Sequence, residues 1–345
     1  MDSHDCRPKQ TFSRASAGRD MWRAITWMGA LALFLGAQAQ LSALAQFPER
    51  QVRMVVANPA GGPLDILARV ISDELAAKWK QVVIVENRPG ANGIIAADAV
   101  AKSKPDGHTL LVTATFSESI MPFAATKLPY DAEKDLVPVT EIVRVAFVLA
   151  VAAGSPIRSF QDFLALTQSA GSKISVGGLG RGSSPHLAWE LIRKGAGIKD
   201  VVYAGYQGPA PAQADLINGL LVLTIDTFAS GRAFIESGRL RAIAVTSRER
   251  SSQLPSVPTL NESGLKGFEI FPWIGIVAPA GVPPERIRAI QESVAEVLKQ
   301  PAVSSRLAQF DFVPVGNEPA AMAATIRAER QRFAPLVKEL GITLQ

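Results

Sequence analysis

Residues 51–78, QVRMVVANPAGGPLDILARVISDELAAK, contain a strand, a loop and a helix in immediate succession. The β-branched run 51–57 predicts a strand, and 63–78 predicts an amphipathic helix whose apolar stripe includes Leu67, Val70 and Ile71. A Gly-Gly pair separates the two elements. Units of this kind build α/β proteins, in which right-handed crossovers join parallel strands. The stretch therefore predicts an α/β fold with a largely parallel sheet.

The same order of elements recurs along the chain. Further strands are predicted at 82–86, 109–113, 173–176, 201–204 and 221–225, and further helices at 93–103, 160–169, 185–194, 211–219, 283–299 and 319–340. The apolar runs 145–152 and 268–278 suit buried strands that cross between two lobes. Two crossings predict a two-strand hinge, which permits lobe closure. We expect lobe 1 to comprise 46–146 and 270–345, and lobe 2 to comprise 147–269.

The first 45 residues have the character of a secretory signal peptide. Arg23 precedes an apolar run at 25–35, and small residues lead to Ala45, where cleavage is expected. The apolar run, of about 11 residues, is shorter than the roughly 20 that a permanent membrane helix needs, although an uncleaved anchor stays an alternative. Met21 is a possible start. The only cysteine, Cys6, precedes the expected cleavage site, so the mature chain would have no disulfide and no thiolate metal site.

Composition limits the class of partner. The 345 residues, 48% of them hydrophobic, are enough for two cores. Removing the leader lowers the formal net charge from +5 to +3, and the remaining Lys and Arg residues form no runs. This pattern gives no nucleic-acid footprint and mildly favours anionic solutes.

The first glycine loop, between the opening strand and helix, is a candidate anion site. Gly61 and Gly62 let backbone amides approach a ligand, and the amides at a helix N-terminus attract a carboxylate. Asp65, in the first helical turn, is expected to accept from an ammonium or amide group of the ligand. The alternative is a tight turn in which Asp65 serves the helix start.

A second loop, 176–186, also runs from a strand into a helix. Arg181, Ser183, Ser184 and His186 supply a cation, two hydroxyls and an imidazole, which suit an anion. Its glycine spacing does not match the dinucleotide pattern, so no nucleotide cofactor is expected. The alternative is an ordinary helix-capping loop.

Three further loops follow predicted strands, where parallel-sheet proteins place their ligands. They carry Thr115 and Ser117, then Tyr206, then Asp226. A surface turn is the alternative for the loop at Tyr206. Convergence of these loops predicts one binding cleft between the lobes.

Enzymatic functions have little support in the sequence. The expected mature chain has only His108 and His186, and H-E-x-x-H, G-x-S-x-G and P-loop patterns are absent. Ser183 or Ser184 beside His186 suggests a hydrolase pair, but sequence neighbours at a helix start rarely meet in triad geometry. We therefore expect a binding protein without catalytic residues, metal or cofactor.

Nine short motifs in order resemble the tripartite tricarboxylate transporter substrate-receptor family, the Bug-type periplasmic binding proteins, over about 300 residues. They are PAGGPLD (59–65), VENRPG (85–90), PDGHT (105–109), LPYD (128–131), GSSPH (182–186), YQGPAP (206–211), LRAIAVTS (240–247), VPT (257–259) and APAG (278–281). Several positions depart from the family pattern: Ala57-Asn58 replaces the aromatic-rich lead into the glycine loop, Leu64 replaces a small hydroxyl residue, and Pro185 interrupts the serine run.

The resemblance implies a two-lobed periplasmic receptor of the type II class that delivers a carboxylate to a separate membrane permease. By position it implies ligand contacts from Gly61, Gly62, Asp65, Thr115, Ser117, Ser183, Ser184, His186, Tyr206 and Asp226, partly through water. Arg181 is an added candidate from its own chemistry. A sensing module that docks on a membrane sensor kinase remains the alternative to transport.

Overall fold

The computed structural model describes residues 47–170 and 174–344, and the described residues from Arg50 onward form one compact unit. The predicted signal peptide lies outside the described residues. In the described ranges, none of the helices combines the length and apolarity of a membrane span.

One lobe contains a six-stranded sheet. Its strands are β1 (Val52–Val56), β2 (Val83–Asn87), β3 (Thr109–Ala114), β4 (Leu136–Val145), β10 (Trp273–Pro279) and β11 (Phe312–Pro314). The spatial order is β11-β4-β10-β3-β1-β2. Strand β1 is parallel to both neighbours, whereas β10 is antiparallel to β3 and β4. The carboxyl ends of β1, β2 and β3 therefore lie along one edge of the sheet.

The other lobe contains a five-stranded sheet. Its strands are β5 (Phe147–Ala152), β6 (Ser175–Leu179), β7 (Val202–Tyr206), β8 (Leu223–Thr227) and β9 (Leu240–Val245), in the order β7-β6-β8-β5-β9. Strands β7, β6 and β8 are parallel, and β5 is antiparallel to β8 and β9. The carboxyl ends of the three parallel strands share one edge.

Helices connect the strands as the sequence predicts. They are α1 (Pro63–Trp79), α2 (Ile94–Ala101), α3 (Met121–Ala124), α4 (Phe160–Ala170), α5 (Ser184–Gly195), α6 (Pro209–Ile217), α7 (Phe228–Glu236), α8 (Pro284–Leu298), α9 (Pro301–Ala308) and α10 (Pro319–Glu339). A 3₁₀ turn (Ala91–Gly93) precedes α2, and a π-helical turn (Phe116–Ile120) follows β3. Proline occupies the first or second position of α1, α5 and α10, where its missing N–H leaves no helical bond unmade.

The two-lobed α/β prediction is confirmed, with differences in detail. The sheets are mixed rather than largely parallel, because β10 and β11 in the first sheet and β5 in the second run antiparallel to the strands of the βα units. The predicted single strand 145–152 is divided at Ala146 between β4 and β5. Strands β4, β9 and β11 and helices α3, α7 and α9 were not predicted.

Each lobe has its own apolar core. In the second lobe, Phe163 packs against Phe160 and edge-on against Trp189, with ring centroids 6.2 and 6.1 Å apart. All three side chains are buried, and each such burial contributes roughly 1.5–3 kcal/mol. A separate cluster, which includes Leu187 of α5 and Phe333 of α10, joins the second lobe to the C-terminal helix.

The two crossings run side by side. The chain leaves the first lobe at Ala146 and returns through 270–272, and the Val145 amide donates to the Pro272 carbonyl at 2.8 Å. On the second-lobe side, the Thr246 hydroxyl accepts from the Phe147 amide at 2.9 Å and donates to the Ile270 carbonyl at 2.7 Å. Thr246 therefore binds both crossings to the second lobe.

Candidate functional site

The first glycine loop is organised from within. The backbone amide of Gly61 donates to Oδ2 of Asp65 at 2.8 Å, and Gly61 has a φ of +81°, which favours glycine. The side-chain amide of Asn87 donates both to Oδ1 of Asp65 at 2.9 Å and to the Asn58 carbonyl at 3.0 Å. The loop is therefore tied to the end of β2.

Asp65 itself is buried and surrounded by donors. Arg69, one turn along α1, forms an ion pair with it at 2.9 Å. Burial opposes the charged form, but hydrogen bonds from Arg69, Gly61 and Asn87 outweigh it and hold the pKa of Asp65 below its ordinary value. Both carboxylate oxygens already accept hydrogen bonds from the protein. In this arrangement Asp65 shapes the loop, as in the alternative considered from the sequence.

The first-lobe edge is closely packed at Gly93. A Cβ on Gly93 would lie 3.0 Å from Oγ of Ser117 and 3.2 Å from Cβ of Ala57. Three segments thus meet there: the end of β1, the start of α2 and the π-helical turn after β3. Ser117 is buried in this junction. Its position depends on a residue with no side chain at 93.

On the second-lobe edge, Ser183 is the N-cap of α5. Its hydroxyl accepts from the His186 amide at 3.4 Å and donates to the Leu179 carbonyl at 3.1 Å. Ser184, the first residue of α5, is half-buried, and Arg181 is exposed. Ser183 therefore has the capping role that the sequence left as an alternative.

His186 faces its own loop. Its Nδ1 accepts from the Gly182 amide at 2.9 Å, and its Nε2 lies 3.7 Å from Oε1 of Glu190. The ring contacts that of Tyr203, with centroids 4.6 Å apart. Burial lowers the pKa of His186 below its ordinary value; Arg181 adds to the lowering and Glu190 opposes it. The neutral imidazole thus orders the loop 182–186.

The remaining two predicted residues differ in their surroundings. The Tyr206 hydroxyl donates to Oδ2 of Asp215 at 2.6 Å within its own lobe. Asp226, half-buried at the end of β8, accepts from the Thr227 amide at 2.7 Å. Burial raises the pKa of Asp226 to about 6, although hydrogen bonds from the Thr227 amide and the Ser230 hydroxyl favour the charged form and partly offset this rise.

A small cavity of about 40 Å³, partly open to solvent, lies between the lobes. Two predicted site residues line it from opposite lobes: Thr115 after β3, and Ser184 at the start of α5. The other lining residues are Ile120, Leu187, Ala188, Ile270, Phe271, Pro272, Glu329, Arg332 and Phe333. The remaining predicted residues are not part of this lining.

A carboxylate that the sequence did not single out lies in the cavity wall. Oε2 of Glu329 accepts from the Ser119 hydroxyl at 2.7 Å and from the indole N–H of Trp273 at 2.9 Å. Thr115 donates to Oε1 at 3.4 Å and accepts from the Trp273 backbone amide at 3.0 Å. Burial raises the pKa of Glu329 above its ordinary value. No local pattern indicates Glu329, because its partners are 56 to 214 residues away.

A second buried carboxyl, Glu118, belongs to the π-helical turn itself. Glu118 accepts from the Thr113 hydroxyl at 3.0 Å, while Arg330 donates to the Glu118 carbonyl at 2.8 Å. Burial raises the pKa of Glu118 to about 7; Thr113 and Arg330 act in the opposite direction. Glu118 thus links the π-helical turn to β3 through Thr113, and Glu329 links it to α10 through Ser119.

The described ranges contain no cluster of three or more His, Cys, Asp or Glu side chains suited to a metal ion. Hydroxyls, helix-start amides and an interlobe cavity are features of solute capture. Fold and site thus define a two-lobed α/β solute-binding protein.

The chain belongs to the tripartite tricarboxylate transporter family of receptors, whose family model matches residues 67–342. It is 34% identical to Protein BugT of Bordetella pertussis over 333 residues, which cover 94% of this chain and all of BugT. The Bug-type resemblance is thereby confirmed. Solved neighbours include periplasmic binding proteins, and the family implies a periplasmic location.

Two solved structures show related proteins with ligands. An R. palustris protein with adipate is 32% identical, with a TM-score of 0.79, and the match covers 86% of this chain and 99% of that one. MatC of Rhodopseudomonas palustris with bound malate is 29% identical, with a TM-score of 0.74, over 84% and 100% of the respective chains. The family and these neighbours are solute-binding receptors, which confirms the prediction that the chain is not an enzyme.

Proposed function

We propose that the chain is a periplasmic receptor that captures a small carboxylate between its lobes and delivers it to a tripartite tricarboxylate-type membrane permease. One observation carries the proposal: Thr115 of one lobe and Ser184 of the other line the same cavity. A ligand held there would contact both lobes, so its binding would favour the closed arrangement. The adipate and malate held by the two solved neighbours support a carboxylate.

We assign residues 46–146 and 270–345 to lobe 1 and 147–269 to lobe 2. The break at Ala146 and the return through 270–272 support these limits. Export by a leader cleaved after Ala45 is part of the proposal. N-terminal sequencing of the protein purified from the periplasm tests it, and a first residue other than Gln46 would correct the boundary.

The cleft as a whole would hold the acid through different kinds of groups. We propose that Ser184, at the N-terminus of α5, and Arg181 attract the carboxylate directly. Gly61 and Gly62 would offer backbone near the cleft, and Asp65, Ser183 and His186 would keep their loops in shape. Thr115 lines the cavity with Ser184, and Ser117, Tyr206 and Asp226 would contribute from the neighbouring loops. Neutral groups and helix-start amides suit a site that must also release its ligand.

A thermal-shift screen tests the binding function. The protein is heated with adipate, malate and a panel of mono-, di- and tricarboxylates. A ligand at 100 times its Kd stabilises the fold by about 2.7 kcal/mol, which raises the melting temperature by several degrees. We expect one or a few acids to do so.

Two variants connect that shift with the proposed cleft. Ser184→Ala and Asp65→Ala are expected to reduce it. Asp73→Ala is the matched control for Asp65→Ala, because Asp73 is exposed on the same helix. An unchanged shift in both cleft variants, or the absence of any shift with the whole panel, would refute binding at this cleft.

Delivery to a permease is separable from sensing by transport measurements. Cells that lack the gene should lose uptake of the radiolabelled acid and regain it on complementation. The alternative, docking on a sensor kinase, predicts that uptake persists while the transcriptional response to the acid is lost. The first result supports the transport role, and the second contradicts it.

A further inference from the structure

On its first-lobe side the return crossing leads into Trp273, and the Val145 amide of β4 also donates to the Pro272 carbonyl of the crossing. Trp273 is the first residue of β10 and directly follows the crossing segment 270–272. Its side chain is completely buried, and its backbone amide and indole N–H both donate to groups of the first lobe. The acceptors of these two bonds therefore help to position the crossing, together with the pairing of Trp273 with Arg144 of β4.

Both acceptors belong to one small network. Thr115 accepts the backbone N–H of Trp273, and Glu329 accepts the indole N–H. Thr115 in turn donates to Glu329, which also accepts from Ser119. One carboxylate on α10 thus joins the crossing strand to the turn after β3. Thr115 and Glu329 both line the interlobe cavity, so the network borders the proposed cleft.

On the second-lobe side, Thr246 forms hydrogen bonds with both crossings. Its backbone amide donates to the Phe147 carbonyl, and its backbone carbonyl accepts from the Ile270 amide. Its hydroxyl accepts from the Phe147 amide and donates to the Ile270 carbonyl. Between the Thr246 and Glu329 networks remain Ala146 on the outgoing crossing and Phe271–Pro272 on the returning one. A hinge is a short segment that absorbs backbone rotation between two fixed ends.

We propose that Glu329 is a positioning residue for solute capture: it fixes Trp273 and Thr115 on the first lobe, so that closure turns about Ala146 and residues 271–272. Glu329 need not touch the solute. Its removal would free the crossing and allow many lobe orientations, of which few would bring the two sides of the cleft together. If about one tenth of the molecules remained competent, the apparent affinity would fall about tenfold.

The hinge can be measured without any ligand. Spin labels are placed on Lys104→Cys in the first lobe and Lys199→Cys in the second, in a Cys6→Ser background. Both lysines are exposed. Pulsed electron spin resonance then gives the distribution of interlobe distances. This readout keeps the test separate from the proposed function, which the thermal-shift screen tests with carboxylates.

Three variants remove different numbers of hydrogen bonds from the Glu329 network. Glu329→Ala removes both acceptor oxygens, Glu329→Gln keeps one, and Trp273→Phe removes only the indole N–H. Glu292→Gln is the control, because Glu292 is exposed on α8 of the same lobe. We expect the distance distribution to broaden most in Glu329→Ala, less in Glu329→Gln and Trp273→Phe, and not in the control.

Thermal unfolding of the same proteins distinguishes positioning from stability alone. Broadening in Glu329→Gln or Trp273→Phe, with a melting temperature close to that of the parent, supports the positioning role. Should Glu329→Ala fail to fold, these two milder variants decide the matter. A lowered melting temperature with an unchanged distance distribution in every variant would overturn the proposal, since Glu329 would then stabilise the fold without orienting the lobes.

Discussion

The backbone amide of Gly182 donates a hydrogen bond to Nδ1 of His186 at 2.9 Å. An amide nitrogen can only donate, so Nδ1 must be the unprotonated nitrogen of a neutral ring. The ring proton is then on Nε2, on the side of Glu190. His186 thereby holds the loop that leads into α5, and its protonation would break the bond that forms this loop.

The first prediction concerns the pH dependence of this bond. Burial lowers the folded-state pKa of His186 below 6.5, so the unfolded chain takes up the proton first as pH falls. The stabilisation is complete above pH 6.5 and is lost as pH drops toward the folded pKa, by at most about 1.4 kcal/mol per pH unit. His186→Asn keeps an acceptor for Gly182 but does not titrate.

Urea unfolding between pH 5 and 7.5 should therefore show a shallower loss of stability in His186→Asn than in the parent protein. Equal slopes in the two proteins would mean that His186 does not contribute to the acid sensitivity.

Glu118 should have the opposite dependence. Its folded pKa is raised from 4.5 to about 7, so the native state holds the proton more tightly, and stability falls as pH rises from 4.5 through 7. Glu118→Gln keeps an acceptor for Thr113 and carries no charge. We expect it to stabilise the protein by on the order of 2 kcal/mol at pH 8 and to have little effect at pH 4.5. Destabilisation at pH 8 in chemical denaturation would show that the charged form is compensated, with Arg330 the nearest cation.

Because packing is close at Gly93, we expect a side chain at this position to lower the stability of the protein. Gly93 and Gly219 both have positive φ, so alanine at either position should cost about 1–2 kcal/mol in backbone strain. Only at Gly93 does the new Cβ also crowd Ser117 and Ala57, whereas Gly219 faces open space. Gly93→Ala should therefore lose more stability than Gly219→Ala, and should also reduce the carboxylate-induced thermal shift. Equal losses in calorimetry would show that the junction yields easily.

The hydrogen bonds from the Thr246 hydroxyl to the two crossings can be removed with little change in side-chain volume. Thr246→Val removes the hydroxyl and leaves the Phe147 amide and the Ile270 carbonyl without this partner. Each unsatisfied buried group costs about 1–3 kcal/mol. Thr224→Val is the control, because Thr224 is buried in β8 of the same sheet. Denaturant unfolding should show a larger loss for Thr246→Val, and similar losses would argue against a special role for the crossing.

Local patterns were sufficient for most of the architecture. Apolar periodicity, glycine loops and proline at helix starts predicted the βα units because these signals act between residues near in sequence. The order of nine motifs indicated the family. The same patterns predicted which loops end at the carboxyl edges of the sheets, since parallel strands share that edge.

Tertiary structure decided which hydrogen-bond partner each polar side chain has. Asp65 and His186 accept hydrogen bonds from amides of their own loops, and Tyr206 donates to Asp215, whereas their contacts with a ligand stay a prediction. Glu329 and Trp273 meet across 56 residues, because α10 packs against the π-helical turn after β3 and against β4, the neighbour of β10. A hydrogen bond needs two atoms within about 3 Å, and packing alone brings distant segments so close. The sequence by itself determined the family and most of the elements, while the packing of those elements determined which polar side chains bind one another, because only packing brings distant atoms within hydrogen-bond reach.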